Sequence, residues 1–403
     1  MAKAKRTNWK RIGTIAVPLI FAVVVLLKVF NNSKSAADLQ TLLQNLPKEI
    51  NMGSSEESER KFMEKFEKFS QDMLRKQDEQ AKRFDRERKV LEKKIQELKQ
   101  PARHATLREK LAVVFEYGTT QRFPAFVWQS WPYLDEDEKL EGDLQKNERN
   151  WANKNPGFVH EIVNDDTAAA FVHYFYSTIP EVIEAYDSLP TAILKIDFFK
   201  YLILLARGGV FADIDTDLLQ PVPNWIPENV SPKEIGLIVG IEHDSKTPDW
   251  RSTYLRRLQF ENWIIQAKPG HPVIREMVAK ITETTLDKKY SGQLNTNLRN
   301  DLTIMGWTGT GAWTDVIFTY FNDYVQSGVL DKITWKQFHN LKVPKLVGDV
   351  LVFPEVTFSA PRSDSDSDNQ GSNPESNTAL HFATHSKMKS WKSLPKAAAN
   401  ANN

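Results

Sequence analysis

Residues 196–215 read IDFFKYLILLARGGVFADID, and this stretch decides the fold. From residue 191 to 206 the chain is almost wholly apolar, with Lys195, Asp197 and Lys200 as its only charges. A run that long, without proline or glycine, predicts a buried helix rather than a strand. Gly208 and Gly209 stop it, and Val210-Phe211-Ala212 then forms a short strand that runs into Asp213-Ile214-Asp215. Open α/β sheets present their ligand-binding groups at the carboxyl ends of strands, which is where this order places two acids. On a regular strand, carboxylates at i and i+2 point the same way. There they hold a hard divalent cation, which neutralises a diphosphate.

Asp213 and Asp215 are therefore the candidate metal-binding and catalytic residues. Taken alone the pair is a weak signal, because a solvated acidic turn has the same spacing. A calcium loop starting at Asp213 is excluded, since its sixth position is Leu218 instead of glycine and its twelfth is Asn224 instead of glutamate. An acidic phosphatase motif is disfavoured, because such motifs open their domain, whereas here a long helix and a Gly-Gly turn come first.

Around this centre, short apolar runs alternate with helical patterns. FPAFVWQ (123–129) reads as a buried first strand, WANKNPGF (151–158) as a helix end and turn, and GLIVGI (236–241) as another buried strand. The whole predicts an α/β sandwich. His271, between Gly270 and Pro272, reads as the N-terminal turn of a helix. Trp128, Trp131 and Trp151 read as core residues.

Upstream, residues 12–27 carry no charge, and Val29 and Phe30 prolong the run past Lys28. At ~1.5 Å per residue the stretch spans roughly 24 to 28 Å, enough for a thin bilayer. Lys3, Lys5, Arg6, Lys10 and Arg11 precede it without an acid, so the N-terminus is expected to stay cytoplasmic. From residue 54 to 100 there is neither glycine nor proline. Phe62, Phe66, Phe69 and Met73 follow a 4-3-4 spacing, which suits a single solvated helix or a coiled coil. The expected organisation is a cytoplasmic tail at 1–11, a transmembrane anchor at 12–30, a helical stem at 31–105, a catalytic domain at 106–395 and a disordered tail at 396–403. Asn31-Asn32-Ser33 and Asn229-Val230-Ser231 are glycosylation sequons in the part expected to be lumenal.

Composition narrows the function classes. Lys and Arg number 53 against 52 for Asp and Glu, a net charge of +1 that argues against a protein built to grip nucleic acid. With no cysteine, a domain in the secretory pathway must hold together by packing alone.

The stretch 196–215 resembles the fungal Golgi α-1,6-mannosyltransferases of glycosyltransferase family 32. The likeness extends over roughly residues 122–391, through FPAFVWQSW, WANKNPGF, IIQAKPGHP (264–272), WTGTGAWTD (307–315) and a closing His385-to-Ser390-Trp391 segment. Two positions depart from the family pattern: Lys200 stands where arginine is frequent, and Phe211 where tyrosine is usual. The resemblance implies a GT-A (Rossmann-like) fold, Mn²⁺ as cofactor, GDP-mannose as donor and retention of the α configuration. It implies a mannose-terminated N-glycan or mannan acceptor, a single-pass type II Golgi membrane protein, and other mannosyltransferase subunits as partners. A structural or weakly active subunit of a mannan polymerase, or a same-fold transferase using another donor in sphingolipid glycosylation, are the alternative expectations. Asp197, Lys200, Phe211, Asp213 and Trp391 are then expected at the donor. Asp213 and Asp215 are the expected metal ligands, with His385 or Ser390 completing the shell.

Overall fold

The computed structural model describes residues 56–98, 104–131, 140, 142–325, 331–359, 379–386 and 388. The expected cytoplasmic tail (1–11), anchor (12–30) and C-terminal tail (396–403), together with Asn31, Ser390 and Trp391, lie outside those residues. Among the described residues no helix is long and apolar enough to cross a membrane.

The chain divides into two units, residues 1–88 and 89–403. Helix α1, Glu56–Leu98, starts in the first and ends in the second as one unbroken helix of 43 residues. Nothing in its sequence breaks it. Ion pairs at helical spacing, Lys82 with Asp78 and Arg83 with Glu87, run along its exposed surface. Leu74, Phe84 and Leu91 are also exposed on it.

The second unit is built on one mixed sheet. Its strands are β1 (Phe126–Ser130), β2 (Val159–Val163), β3 (Gly209–Ala212), β5 (Leu237–Asp244), β7 (Ile264–Ala267), β8 (Lys345–Val347) and β9 (Val350–Phe353), in the order β2-β1-β3-β7-β5-β9-β8. A short strand β6 (Leu258–Phe260) pairs with β5. Strands β1, β2 and β3 are mutually parallel, β5 is parallel to β9, and β7 lies antiparallel between β3 and β5. Therefore β1, β2, β3, β5 and β9 share one direction, and their carboxyl ends share one edge. Strand β4 (Thr216–Leu218) leaves the sheet to pair with β10 (Ala383–His385).

Alternation along β3 divides the core. Phe211 packs into the larger cluster with helices α4 (Asp165–Phe175), α5 (Pro180–Ser188), α6 (Ala192–Arg207), α7 (Pro272–Tyr290) and α9 (Thr310–Tyr320). Val210 and Ala212 face the smaller cluster with Trp151 of α3 (Gly142–Lys154), Trp225, Phe358 and Phe382. Both faces of β3 are buried, which its continuous apolar sequence requires. The helix expected at 191–206 is α6, displaced by one residue. Trp128 and Trp151 are core residues, donating their indole N–H groups to the carbonyls of Gly208 and Thr216.

The Gly208-Gly209 turn has a steric cause. Both residues have positive φ, +65° and +97°. A Cβ at Gly208 would meet the Ala267 carbonyl oxygen at 2.8 Å, and one at Gly209 would meet Phe126 at 2.8 Å. Only glycine lets α6 reverse directly into a strand squeezed between β1 and β7.

Candidate active site

Asp213 and Asp215 are not part of a strand. Strand β3 ends at Ala212, and residues 213–215 form a turn into β4. This corrects the expectation that strand alternation aligns the two carboxylates. The turn aligns them instead. The Asp213 carbonyl accepts from the Thr216 amide (3.0 Å) and hydroxyl (2.6 Å), while the Asp213 amide donates to the Trp263 carbonyl (2.8 Å).

Opposite the turn lies the C-terminal segment. Strand β10 pairs antiparallel with β4, with His385 opposite Thr216, and this brings His385 beside Asp215, 170 positions earlier in the chain. Its Nε2 lies 3.2 Å from Asp215 Oδ1. The Met388 amide donates to Asp215 Oδ2 (3.0 Å), and the Ser386 amide donates to the Asp215 carbonyl (3.0 Å). The Trp263 ring stacks on the His385 ring at 4.7 Å and 7° and fixes its plane. Trp263 is anchored in turn by its indole N–H on the Phe358 carbonyl (2.8 Å).

Ligand atoms of Asp213, Asp215 and His385 all lie within 4.8 Å of one another. Two carboxylates and an imidazole suit Mn²⁺ or a similar divalent ion. The Nδ1 atom of His385 is buried with no hydrogen-bond partner among the described residues. The donor set therefore fits the metal that the D-x-D spacing implies.

Lys200 lies beneath this cluster with 1% of its side chain exposed, 3.0 Å from Asp213 Oδ1 and 3.3 Å from Asp197 Oδ1. The expectation that Lys200 meets the donor phosphate is revised, because two carboxylates already enclose its ammonium. Phe211, expected at the donor, is fully buried and lies under the Lys200 ammonium at 5.3 Å. It supports Lys200 without reaching the surface. Asp197 is 7% exposed and accepts from Thr308 Oγ1 (3.0 Å) as well as pairing with Lys200.

Burial pushes the Asp213 carboxyl above the usual carboxylate range, with Lys200 pulling the other way. Burial also opposes ionisation of Asp215, but His385 and the Met388 N–H outweigh it and hold that carboxyl low. The Lys200 ammonium loses solvation, and the Asp213 and Asp197 charges overcome that loss, so it stays protonated. Asp213, whose side chain is 30% exposed, is the open member of the cluster; Asp215 is 11% exposed and lies deeper.

Reading the sequence missed two neighbours. Glu261, fully buried, accepts from the Trp263 (2.8 Å) and Ile264 (2.9 Å) amides and shapes the β6–β7 turn that carries Trp263. Asn262 donates to the Tyr201 hydroxyl oxygen (3.1 Å). A polar Glu-Asn pair inside the apolar run FENWII (260–265) was the available signal. Of the sequons, Asn229 lies in an exposed turn.

Residues 142–232, which include the Asp213 turn, match the model of a glycosyltransferase sugar-binding region containing a DXD motif. Over 399 residues the chain is 51% identical to the Saccharomyces cerevisiae protein named "Putative glycosyltransferase HOC1", covering 96% of this chain and 98% of that one. It is 40% identical to an initiation-specific alpha-1,6-mannosyltransferase of Candida albicans, over 72% of this chain and 77% of the relative. Against the Saccharomyces cerevisiae protein of that same description the identity is 29%, over 75% and 85% of the two chains.

Proposed function

The chain belongs to the glycosyltransferases with a DXD sugar-binding region, and from that membership we propose a manganese-dependent α-1,6-mannosyltransferase of GT-A fold. GDP-mannose is the donor, and a mannose-terminated N-glycan or mannan chain is the acceptor. The alpha-1,6-mannosyltransferase relatives support the reaction class. The convergence of Asp213, Asp215 and His385 at the carboxyl edge of the sheet is the observation that carries the reading.

In this reading Asp215 and His385 would hold the metal, and Asp213, the more exposed acid, would join them and contact the nucleotide ribose. When bound, the cation supplies Lewis-acid neutralisation of the diphosphate leaving group. Lys200 fixes the orientation of Asp213 and opposes the rise that burial imposes on its carboxyl. Asp197, held by Thr308 and Lys200, is placed to order the donor sugar. Transfer proceeds with retention. The acceptor hydroxyl oxygen bonds to the anomeric carbon on the face from which GDP departs. The bond from that carbon to the phosphate oxygen breaks with its electron pair on GDP, and the hydroxyl proton passes to the departing oxygen. Ser390 is the alternative to His385 in completing the metal shell, and Trp391 would touch the β-phosphate. We place the enzyme in the Golgi membrane with residues 12–30 as anchor, the helix at 56–98 as stem, other mannosyltransferase subunits as partners and the catalytic domain lumenal.

The test is the purified full-length chain with Mn²⁺ and a panel of sugar nucleotides. GDP-mannose should be turned over, and Asp215→Ala should lower turnover at least a hundredfold with the fold intact by circular dichroism. Wild-type turnover in the variant, or preference for another donor, would overturn the assignment.

A further inference from the structure

A second cleft opens on the same edge of the sheet. It encloses about 380 Å³ and is lined by His243, Asp244, Asp249, Trp250, Tyr254 and Glu355. Because β3, β5 and β9 run parallel, Asp213 after β3, Asp244 at the end of β5 and Glu355 after β9 all emerge at one edge. Two sets of bonded polar groups lie between cleft and metal cluster, joined through the backbone from Thr308 to Thr310. Gln259 Nε2 donates to Glu242 Oε2 (2.7 Å) and to Thr310 Oγ1 (2.7 Å). Two residues before Thr310, Thr308 binds Asp197, which pairs with Lys200 and through it with Asp213.

The cleft has built walls. The His243 and Tyr254 rings stack at 3.9 Å and 8°, a double aromatic plate. Tyr254 is tied by its amide to the Trp250 carbonyl (2.8 Å), and Trp250 carries the Arg251 guanidinium 4.6 Å over its ring. Asp244 lies 2.8 Å from His339 Nδ1 and accepts from the Asn340 amide, so its carboxylate is held in place. Burial raises the Tyr254 phenol, and the Glu242 and Glu355 charges add to the rise, so the acids and the plate share one space.

We propose that this cleft is the acceptor subsite, taking a neutral oligosaccharide with vicinal hydroxyls, here the mannose chain of the proposed reaction. The inference rests on that reaction. Asp244, Asp249 and Glu355 outnumber Lys246 in the lining, and the ligand set for a cation that would offset a diphosphate lies at Asp213, so an uncharged polyol belongs here. Aromatic plates pack the apolar faces of pyranose rings, and fixed carboxylates accept from their hydroxyls.

The experiment is calorimetric titration of α-1,6-linked mannotriose into the full-length chain with GDP and Mn²⁺ present. The parent should bind. Trp250→Ala and Glu355→Gln should each weaken mannotriose about tenfold, while the affinity for GDP with Mn²⁺ stays within twofold. Tyr254→Phe, which keeps the plate, should retain more mannotriose affinity than Tyr254→Ala. No binding by the parent, or equal binding by parent and both variants, overturns the proposal. Release of GDP from GDP-mannose is read separately. If it is absent while mannotriose still binds at this cleft, the donor assignment fails and the cleft stands.

Discussion

Two charged clusters sit at opposite edges of the same sheet, and they differ in how many acids each brings together. At the amino edge, Asp349 just before β9 accepts from the hydroxyls of Tyr117 and Tyr320 (2.7 Å for the latter) and lies 3.3 Å from His271 Nε2. His271 also caps α7, its Nδ1 accepting from the Val273 amide. At the carboxyl edge, Lys200 neutralises Asp197 and Asp213 from below, yet Asp213 remains 30% exposed and His385 keeps an unpartnered buried nitrogen. A half-buried carboxylate that accepts from two hydroxyls and faces an imidazole holds the fold together. One left partly open, beside a second acid and an imidazole, waits for a ligand. Perturbed protonation and a ring nitrogen without a hydrogen-bond partner among the described residues, His271 Nε2 or His385 Nδ1, mark both clusters, so it is the convergence of two carboxylates with an imidazole that separates site from scaffold.

The sharpest break of this comparison is Asp349→Ala. It strands two half-buried tyrosine hydroxyls and leaves the buried His271 imidazole without its acid, and should cost about 4 kcal/mol in urea unfolding. Affinity for GDP with Mn²⁺ in the surviving native protein should be unchanged, and a parallel loss would mean the two edges are coupled. Next is Lys200→Met, which leaves Asp197 and Asp213 facing each other without a cation. Metal-free stability should fall by about 3 kcal/mol. Adding Asp213→Asn should recover part of that loss, because the interaction is shared; strict additivity would show that the Lys200–Asp213 pair carries no coupling.

The smallest effect is a pH dependence at the amino edge. Burial pushes the His271 imidazole below its ordinary value, against the pull of Asp349. An unfolded histidine titrates near ~6.5. Below that pH the unfolded chain takes up a proton that folded His271 refuses, since Nδ1 is occupied as an acceptor. Stability should therefore decline as pH falls through 6.5 toward the lower folded value, by about 1 kcal/mol at pH 5.5. Asp349 is held low as well, so its contribution is lost only in the more acidic window below ~3.9. His271→Asn keeps a capping acceptor and should flatten the 7.5-to-5.5 difference in unfolding free energy; an unchanged slope would point to another group.

The sequence made one edge far more legible than the other. The α6–β3 junction is readable because glycines punctuate a long apolar run, and the structure gives the steric reason at Gly208 and Gly209. The spacing of Asp213 and Asp215 marks the site, but a turn rather than a strand aligns them, and spacing alone does not distinguish the two. His385 is reached only through the likeness of the closing segment, because a pairing as distant as β4 with β10 leaves no local trace. The burial of Lys200 is equally hidden. A lysine inside an apolar helix reads the same whether it meets a phosphate or two carboxylates. The amino-edge cluster joins residues as far apart as Tyr117 and Asp349, and nothing periodic connects them.

The account stands most directly on one measurement, the electron paramagnetic resonance of Mn²⁺ titrated into the full-length chain with GDP. The parent should show one bound Mn²⁺ per chain. In Asp215→Asn bound Mn²⁺ should be lost, in His385→Ala binding should weaken about tenfold, and the metal-free unfolding free energy of both should stay within ~1 kcal/mol of the parent. Undiminished Mn²⁺ binding in Asp215→Asn would contradict the assignment of the turn as the metal site.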